Sequence, residues 1–286
     1  DSFGFGIGKE VLDNSGQFNE PNSSSNSIVT MKTTSLHSRT SKNAASNMLA
    51  IQNSPYLGRF LFTGLSESGM IIMGYGMTAR SGPNLNRVLL EDPQSGRLFT
   101  EFAKPSDEKR DLIIYNAMQM DESGQYYYAT NGDHTDTLLH SGDTFTNALE
   151  LTVHEPDPPK TPRIALQVSL ALSEGKYDVE MASIRAGRFG NGHERGIFEY
   201  TEFDAGTGVF LPTYADNAAP GKLLPSYRNA PFPVPLKGTI MQIANSFWGI
   251  LNREQRIALA VRSINPKAPA DATTYVINER TFEPRE

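Results

Sequence analysis

Four polar clusters interrupt otherwise apolar runs of this sequence, and they hold its candidate chemistry. The first, Thr78-Ala79-Arg80-Ser81-Gly82-Pro83-Asn84-Leu85-Asn86-Arg87, sets two guanidiniums and two amides around a Gly-Pro turn. Arginine forks match phosphate oxygens, and glycine lets backbone N–H groups approach an anion, so Arg80, Asn84, Asn86 and Arg87 suit a phosphate group. A solvated hairpin loop has the same composition. In the second, Ile114-Tyr115-Asn116, a phenol and an amide close an apolar strand, and Tyr115 reads either as a half-buried anchor or as a proton donor. The third, Asn131-Gly132-Asp133-His134-Thr135-Asp136, contains metal-ligand residue types. The other histidines, His37, His140, His154 and His193, have no paired ligand spacing, so a backbone-bonding turn and no metal are expected. The fourth is His154-Glu155-Pro156 with Thr161-Pro162-Arg163. A carboxylate at a helix C-terminus opposes the helix dipole, so Glu155 either lies free in the following loop or is held there for a purpose, with Arg163 as its available partner.

The elements that must position these groups are mostly short strands. Asn43 to Gln52 has helical spacing and Pro55 stops it. Arg59 to Gly64 and Met70 to Gly76 form a hairpin across a Ser-Glu-Ser-Gly turn, and Asp111 to Met118 with Gln125 to Thr130 repeats that design. Ser141-Gly142-Asp143 offers an N-cap to a helix running from Phe145 to His154. Strands are expected over Arg163 to Leu172, Lys176 to Arg185, Phe198 to Phe203 and Gly208 to Tyr214, followed by irregular Pro-rich chain from Ala219 to Pro235. Lys237 to Leu251 reads as a helix, Arg256 to Ile264 as a strand and Tyr275 to Asn278 as an edge strand. Without βαβ alternation or an internal repeat, this is one α+β domain over residues 43–280. Residues 1–42 form a polar, Ser- and Asn-rich arm expected to be flexible and dispensable for activity, and residues 281–286 form a tail.

Composition narrows the function classes. The 286 residues include no cysteine, which removes disulfides, thiolate nucleophiles and thiolate-bound metals. A net charge of −6 argues against nucleic acid as a partner. The apolar runs, such as Met70 to Met73, are strand-sized and far short of the roughly 20 residues that cross a bilayer. No membrane association or secretory signal is therefore expected, and a cytoplasmic protein is the default. Gly4-Phe5-Gly6-Ile7-Gly8-Lys9 lacks the spacing of a phosphate-binding P-loop.

The order of the motifs adds more than any one of them. Tyr56-Leu57-Gly58-Arg59, Arg80-Ser81-Gly82-Pro83-Asn84 with Asn86-Arg87, Tyr115-Asn116, Asn131 to Asp136 and Thr161-Pro162-Arg163-Ile164-Ala165 occur in collinear order. This succession resembles the archaeal-type inosine monophosphate (IMP) cyclohydrolase family over about residues 55–172, with a looser match near Thr213-Tyr214. The resemblance implies a four-layer α-β-β-α sandwich like that of the N-terminal-nucleophile hydrolases, without autoprocessing. It also implies closure of the second purine ring of 5-formamidoimidazole-4-carboxamide ribonucleotide, giving IMP and water, with a small purine ribonucleotide as partner and no cofactor or metal. A homo-oligomer is left open.

Carried over residue by residue, the resemblance makes Tyr115 the acid, Glu155 the base or polarising group, and Arg87 or Arg80 the group holding phosphate or oxyanion. Asn84 and Asn86 would support that loop, and Asn116 would orient the substrate. Asn131, His134 and Asp136 would line the base-binding side, Tyr214 would bind substrate, and Arg163 would position Glu155. The alternatives are a non-catalytic homologue that binds a nucleotide or a protein partner, and an amide hydrolase, which would lack a free Ser, Thr or Cys nucleophile.

Overall fold

The computed structural model describes residues 27–33, 40–80, 82–108, 113–150, 152–155, 161–170, 176–187, 192–216 and 224–284. Along the chain, β1 (Ser27–Thr33) and α1 (Thr40–Asn53) precede the hairpin of β2 (Arg59–Leu65) and β3 (Ile71–Thr78). Next come β4 (Arg87–Glu91), β5 (Leu98–Phe102), β6 (Asn116–Met120), β7 (Tyr126–Thr130), α2 (His134–His140) and α3 (Phe145–Ala148). The strands β8 (Arg163–Ser169), β9 (Asp178–Ala186), β10 (His193–Tyr200), β11 (Thr207–Pro212) and β12 (Phe232–Pro235) follow, and α4 (Ile240–Ile250), β13 (Arg256–Asn265) and β14 (Ala268–Asn278) close the fold.

These strands make two sheets, one of eight strands in the order β1-β10-β9-β8-β7-β6-β5-β4 and one of six in the order β12-β11-β2-β3-β13-β14. Every pairing is antiparallel except β1 with β10. Strand side chains alternate between faces, and the apolar residues here are placed to fill both. From β2 and β3, Leu61, Ile71, Met73, Tyr75 and Met77 point between the sheets, where they meet Leu89, Leu98, Ala117, Ile164 and Leu166. The intervening Phe60, Phe62 and Ile72 face outward and pack under α1 and α4 through Ile51, Ile243, Ala244 and Phe247. On the other side of the molecule, Leu138 of α2 and Phe145 of α3 cover Tyr128, Ala165 and Ala182 of the eight-stranded sheet. The layers therefore run helix, sheet, sheet, helix.

Local chemistry accounts for the helix ends. Thr239 and Gln242 form a reciprocal capping box at the start of α4: Thr239 Oγ1 accepts from the Gln242 N–H at 3.3 Å and Gln242 Oε1 from the Thr239 N–H at 2.8 Å. Stacking of Phe62 on Phe247, with centroids 4.2 Å apart, ties that helix to its sheet and adds about 1 kcal/mol beyond area burial.

Several elements differ from the sequence reading. The helix expected from Phe145 to His154 stops at Ala148, with Thr144 as its N-cap rather than Ser141 to Asp143. The reason lies on the sheet face that α3 covers. Buried Arg195 donates Nε to the Leu149 carbonyl at 3.2 Å, and its Nη2 donates to the carbonyls of Glu150 and Thr152, drawing those oxygens out of a helical ladder. The segment expected to be a turn at Asn131 to Asp136 leads into α2, whose His134, Thr135 and Leu138 are buried on one face. Strands β4 and β5 were not expected, and β10 lies earlier than Phe198 to Phe203. Strand β12 arises within the Pro-rich stretch because it is the sheet edge, where Pro233 and Pro235 need no N–H for a further neighbour. Strand β1 falls inside the stretch read as an arm, and residues 1–26 lie outside the described residues.

Candidate active site

At one end of the sandwich, side chains from both sheets converge. Arg59 opens β2, Arg87 opens β4, Tyr115 immediately precedes β6, Glu155 lies ahead of β8 and Tyr214 follows β11. Gly58 makes the entry into β2 possible. Its φ is +72°, and an added Cβ would lie 2.2 Å from Thr213 Oγ1 and 2.5 Å from Tyr214 Cδ2. Thr213 Oγ1 then accepts from the Arg59 N–H at 3.1 Å and donates to the Leu57 carbonyl at 3.0 Å, fixing the strand end that carries the guanidinium.

Arg59 and Arg87 converge on one amide. Asn84 Oδ1 accepts from Arg59 Nη2 and from Arg87 Nη1, each at 3.3 Å. Arg87 is 1% exposed, its Nη2 donates to the Ile113 carbonyl, and its Nε has no partner. Among the described residues, neither guanidinium has a carboxylate within salt-bridge distance. Two cations sharing one neutral acceptor in a buried setting leave unused donors for an anion.

Tyr115 is held from both sides. Its backbone is locked to Thr100: the Tyr115 N–H donates to Thr100 Oγ1 at 3.0 Å, and the Tyr115 carbonyl accepts from the Thr100 N–H at 3.0 Å. The Arg87 guanidinium sits 5.3 Å from the centroid of its ring. Its hydroxyl meets the hydroxyl of Tyr75 at 2.6 Å. Burial raises the Tyr115 pKa, but Arg87, Arg59 and the Tyr75 hydrogen bond outweigh it and hold the phenol below its ordinary value. Tyr75 goes the other way, held well above the ordinary value by burial and by the adjacent Tyr115.

Glu155 shares the same surroundings. Burial holds its carboxyl above the usual range, even though Arg59, Arg163, a Thr161 hydrogen bond and Arg87 all favour its anion. Thr161 Oγ1 also accepts from the Tyr214 hydroxyl at 3.0 Å, and the Tyr214 ring stacks on Tyr56 with centroids 5.5 Å apart. Burial pushes the Tyr214 phenol up to about 12, so it stays a neutral donor. Arg80 is exposed at the rim, its guanidinium 5.0 Å from the centroid of the Tyr56 ring.

The remaining expected site residues are distributed by the pleat. Asn116 follows Tyr115 and faces the opposite side of the eight-stranded sheet, where its Nδ2 donates to Asp136 Oδ1 at 3.1 Å. Asn116 and Asp136 line a separate cavity of about 740 Å³ with Gln119 and His140, so the structure does not bring them to Tyr115. Asn131 bridges two segments, donating Nδ2 to the Pro162 carbonyl at 2.8 Å and accepting from the Ile164 N–H at 2.7 Å. His134 is buried with Nε2 at 3.0 Å from the Ile164 carbonyl and Nδ1 at 3.0 Å from Arg163 Nη1, which fixes a neutral imidazole carrying its proton on Nε2. Burial and Arg163 push its pKa down to about 3. Arg163 also pairs with Asp133 at 2.5 Å and acts on Glu155 from that anchored position. Asn86 bonds to the Lys104 backbone through both amide atoms, at 2.9 and 3.0 Å, which secures the loop bearing Asn84 and leaves Asn86 away from the Tyr115 cluster.

Sequence reading did not assign roles to Arg59, Tyr75 or Thr161. The available signal for Arg59 was a charge at the start of the apolar run Phe60-Leu61-Phe62, on the face shared with inward Leu61. Among the described residues no cluster of His, Asp and Glu suits a metal ion, and no helix is long and apolar enough to cross a membrane.

The chain is 31% identical over 121 residues to an IMP cyclohydrolase of Methanococcus maripaludis, covering 40% of this chain and 58% of that protein. It is 32% identical over 117 residues to an IMP cyclohydrolase of Methanocaldococcus jannaschii, covering 38% and 55%, and 30% identical over 123 residues to that of Methanococcus aeolicus, covering 39% and 57%. The chain thus spans little more than half the length of these relatives. No solved structure matches it significantly. Residues 56–268, which contain every side chain of the cluster from Tyr56 to Tyr214, match the family model described as IMP cyclohydrolase-like protein, and the chain belongs to that family.

Proposed function

We propose that the cluster around Tyr115 closes a purine ring. The carboxamide nitrogen of 5-formamidoimidazole-4-carboxamide ribonucleotide attacks the formyl carbon of the same molecule, and water leaves to give IMP. Both reacting groups already sit on one imidazole, so holding them in register supplies a large part of the acceleration. Glu155, raised by burial, takes the proton of the attacking amide. Tyr115, lowered by its arginine neighbours, gives a second proton to the departing oxygen, which leaves as water with the proton Glu155 collected. The formamido N–H proton released as the ring C=N forms restores Tyr115. Arg59 and Arg87, with donors to spare, stabilise the tetrahedral oxyanion or the 5′-phosphate.

The observation that supports this reading best is the opposed displacement of the acid and the base. A phenol shifted down and a carboxyl shifted up, with Arg59 and Arg87 acting on both, bring an acid and a base closer in proton affinity than their ordinary values. Such a reaction needs no cofactor or metal. The substrate is a purine ribonucleotide, and a cytoplasmic setting fits it. We also read the helix-sheet-sheet-helix layering as the sandwich of the N-terminal-nucleophile hydrolases without autoprocessing. In support, β2 opens on Arg59 behind α1 instead of on a free nucleophile. The test follows the absorbance change as the formamido ribonucleotide is consumed by the purified protein. Turnover lost in Tyr115→Phe supports the proposal. Nucleotide binding without turnover at high enzyme concentration replaces it with a binding role.

A further inference from the structure

Tyr75 stands in the middle of the inner face of β3, fully buried, at a position where phenylalanine would fill the same space. Burying a hydroxyl is unfavourable unless it is bonded, so the oxygen of Tyr75 calls for an explanation. Its hydrogen-bond partner is the hydroxyl of Tyr115, 2.6 Å away. Tyr75 is also fixed in register. It pairs with Leu61 of β2 and lies between Gly74 and Gly76, whose missing side chains make room for the rings of Phe62 and Phe60. An added Cβ at either glycine would lie 2.0 Å from the Cζ of the facing ring. The outer aromatic layer thus presses on the strand that aims Tyr75 inward.

We propose that Tyr75 is a positioning residue that donates its phenolic hydrogen to Tyr115 Oη, aiming that oxygen at the reacting atoms and stabilising its anion. The inference rests on the reading of Tyr115 as the acid of the reaction. Of two hydroxyls in contact, one donates and the other keeps its own hydrogen for a further partner. The charged and titratable groups facing Tyr115 are Arg59 from β2, Tyr75 from β3 and Arg87 from β4, with Glu155 beyond the two arginines. Two cations favour the anion on Tyr115, and Tyr75, which holds its proton more tightly than an ordinary tyrosine, is the natural donor of the pair. The Tyr115 hydrogen then remains free to be given to substrate, and Tyr75 holds the charge left behind without surrendering its own proton.

The test is a titration of phenolate absorbance, with the contribution of Tyr115 isolated by subtracting the Tyr115→Phe protein. In Tyr75→Phe, which preserves shape, the Tyr115 titration moves to higher pH. Fluorotyrosine at position 75, a stronger donor of nearly the same shape, moves it to lower pH. Thermal unfolding of each variant verifies that the fold is retained. With the formamido ribonucleotide, Tyr75→Phe lowers kcat about tenfold or more at neutral pH, leaves KM nearly unchanged and carries the alkaline limb of the pH profile upward with the titration. An unmoved titration in both variants overturns the inference, as does an ionisation that persists in Tyr115→Phe and vanishes in Tyr75→Phe. Because the titration needs no substrate, a shifted titration in a protein without turnover refutes only the proposed reaction. Turnover with an unmoved titration refutes only the role of Tyr75.

Discussion

Arg59 and Arg87 come from different sheets and meet on a single oxygen, Oδ1 of Asn84, 3.3 Å from a guanidinium nitrogen of each. A neutral acceptor between two cations bridges them without neutralising them, and the positive charge stays available for a ligand. Arg59→Ala and Asn84→Ala are each expected to raise KM about tenfold or more, with smaller changes in kcat. Steady-state kinetics over a range of substrate concentration checks this; a KM unchanged in both places the anion elsewhere.

Tyr115→Phe and Glu155→Gln remove the proposed proton transfers while keeping shape. Each is expected to lower kcat by about 10²-fold or more, with KM moved little. Single-turnover measurements separate this loss from any change in product release.

The pH profile follows from the two displaced groups. In the proposed reaction Glu155 acts as its anion, so the acidic limb is expected above the usual carboxylate range, in the direction burial moves it. In the same reaction Tyr115 acts protonated, so the alkaline limb is expected below the ordinary tyrosine value. The profile of kcat/KM is therefore expected to be a bell narrower than ordinary carboxylate and tyrosine values would give, and Glu155→Gln removes its acidic limb. An acidic limb that survives that change belongs to another group.

His134 links pH to stability. Its imidazole takes a proton at about 6.5 when unfolded and only at about 3 when folded. Between those values the unfolded chain binds more protons, so stability falls as pH drops from about 6.5 toward 3. Urea unfolding at a series of pH values measures the slope, and His134→Gln flattens the part of it due to this residue.

Arg195 acts at a distance from Glu155. Its guanidinium holds the carbonyls of Leu149, Glu150 and Thr152, the stretch that leads into Glu155. Arg195→Met is expected to cost about 3 kcal/mol of stability by leaving those buried oxygens unpaired. It also lowers kcat more than it changes nucleotide affinity. Denaturant titration and kinetics on the same preparation check both parts.

Residue type singles out Tyr115, Glu155 and Arg87 in the sequence as candidates, because phenol, carboxylate and guanidinium beside apolar strands need partners, and the structure sets all three among shared arginine neighbours. Two-residue periodicity already separates Asn116 from Tyr115, and applying it strictly would have sent that amide and Asp136 to the other side of the sheet. Tyr75 was hidden for the opposite reason. Inside Met73-Gly74-Tyr75-Gly76-Met77 it reads as an ordinary strand aromatic, and only the register against Leu61 and the approach of Tyr115 reveal its hydroxyl. The early end of α3 was unreadable because its cause, Arg195, lies 46 residues beyond Leu149. The hairpin of β2 and β3 and the helix α4 were legible because their turn and capping signals are local.

The parallel pairing of β1 with β10 gives the N-terminal stretch a protective duty. Ser27–Thr33 occupies the flank of the eight-stranded sheet, so the backbone donors and acceptors of β10 are not left facing outward as a template for another chain. Shortening the protein past this segment would preserve the residues around Tyr115 while uncovering that flank. The cost would appear as self-association, visible as larger species in solution, before it appeared as lost turnover.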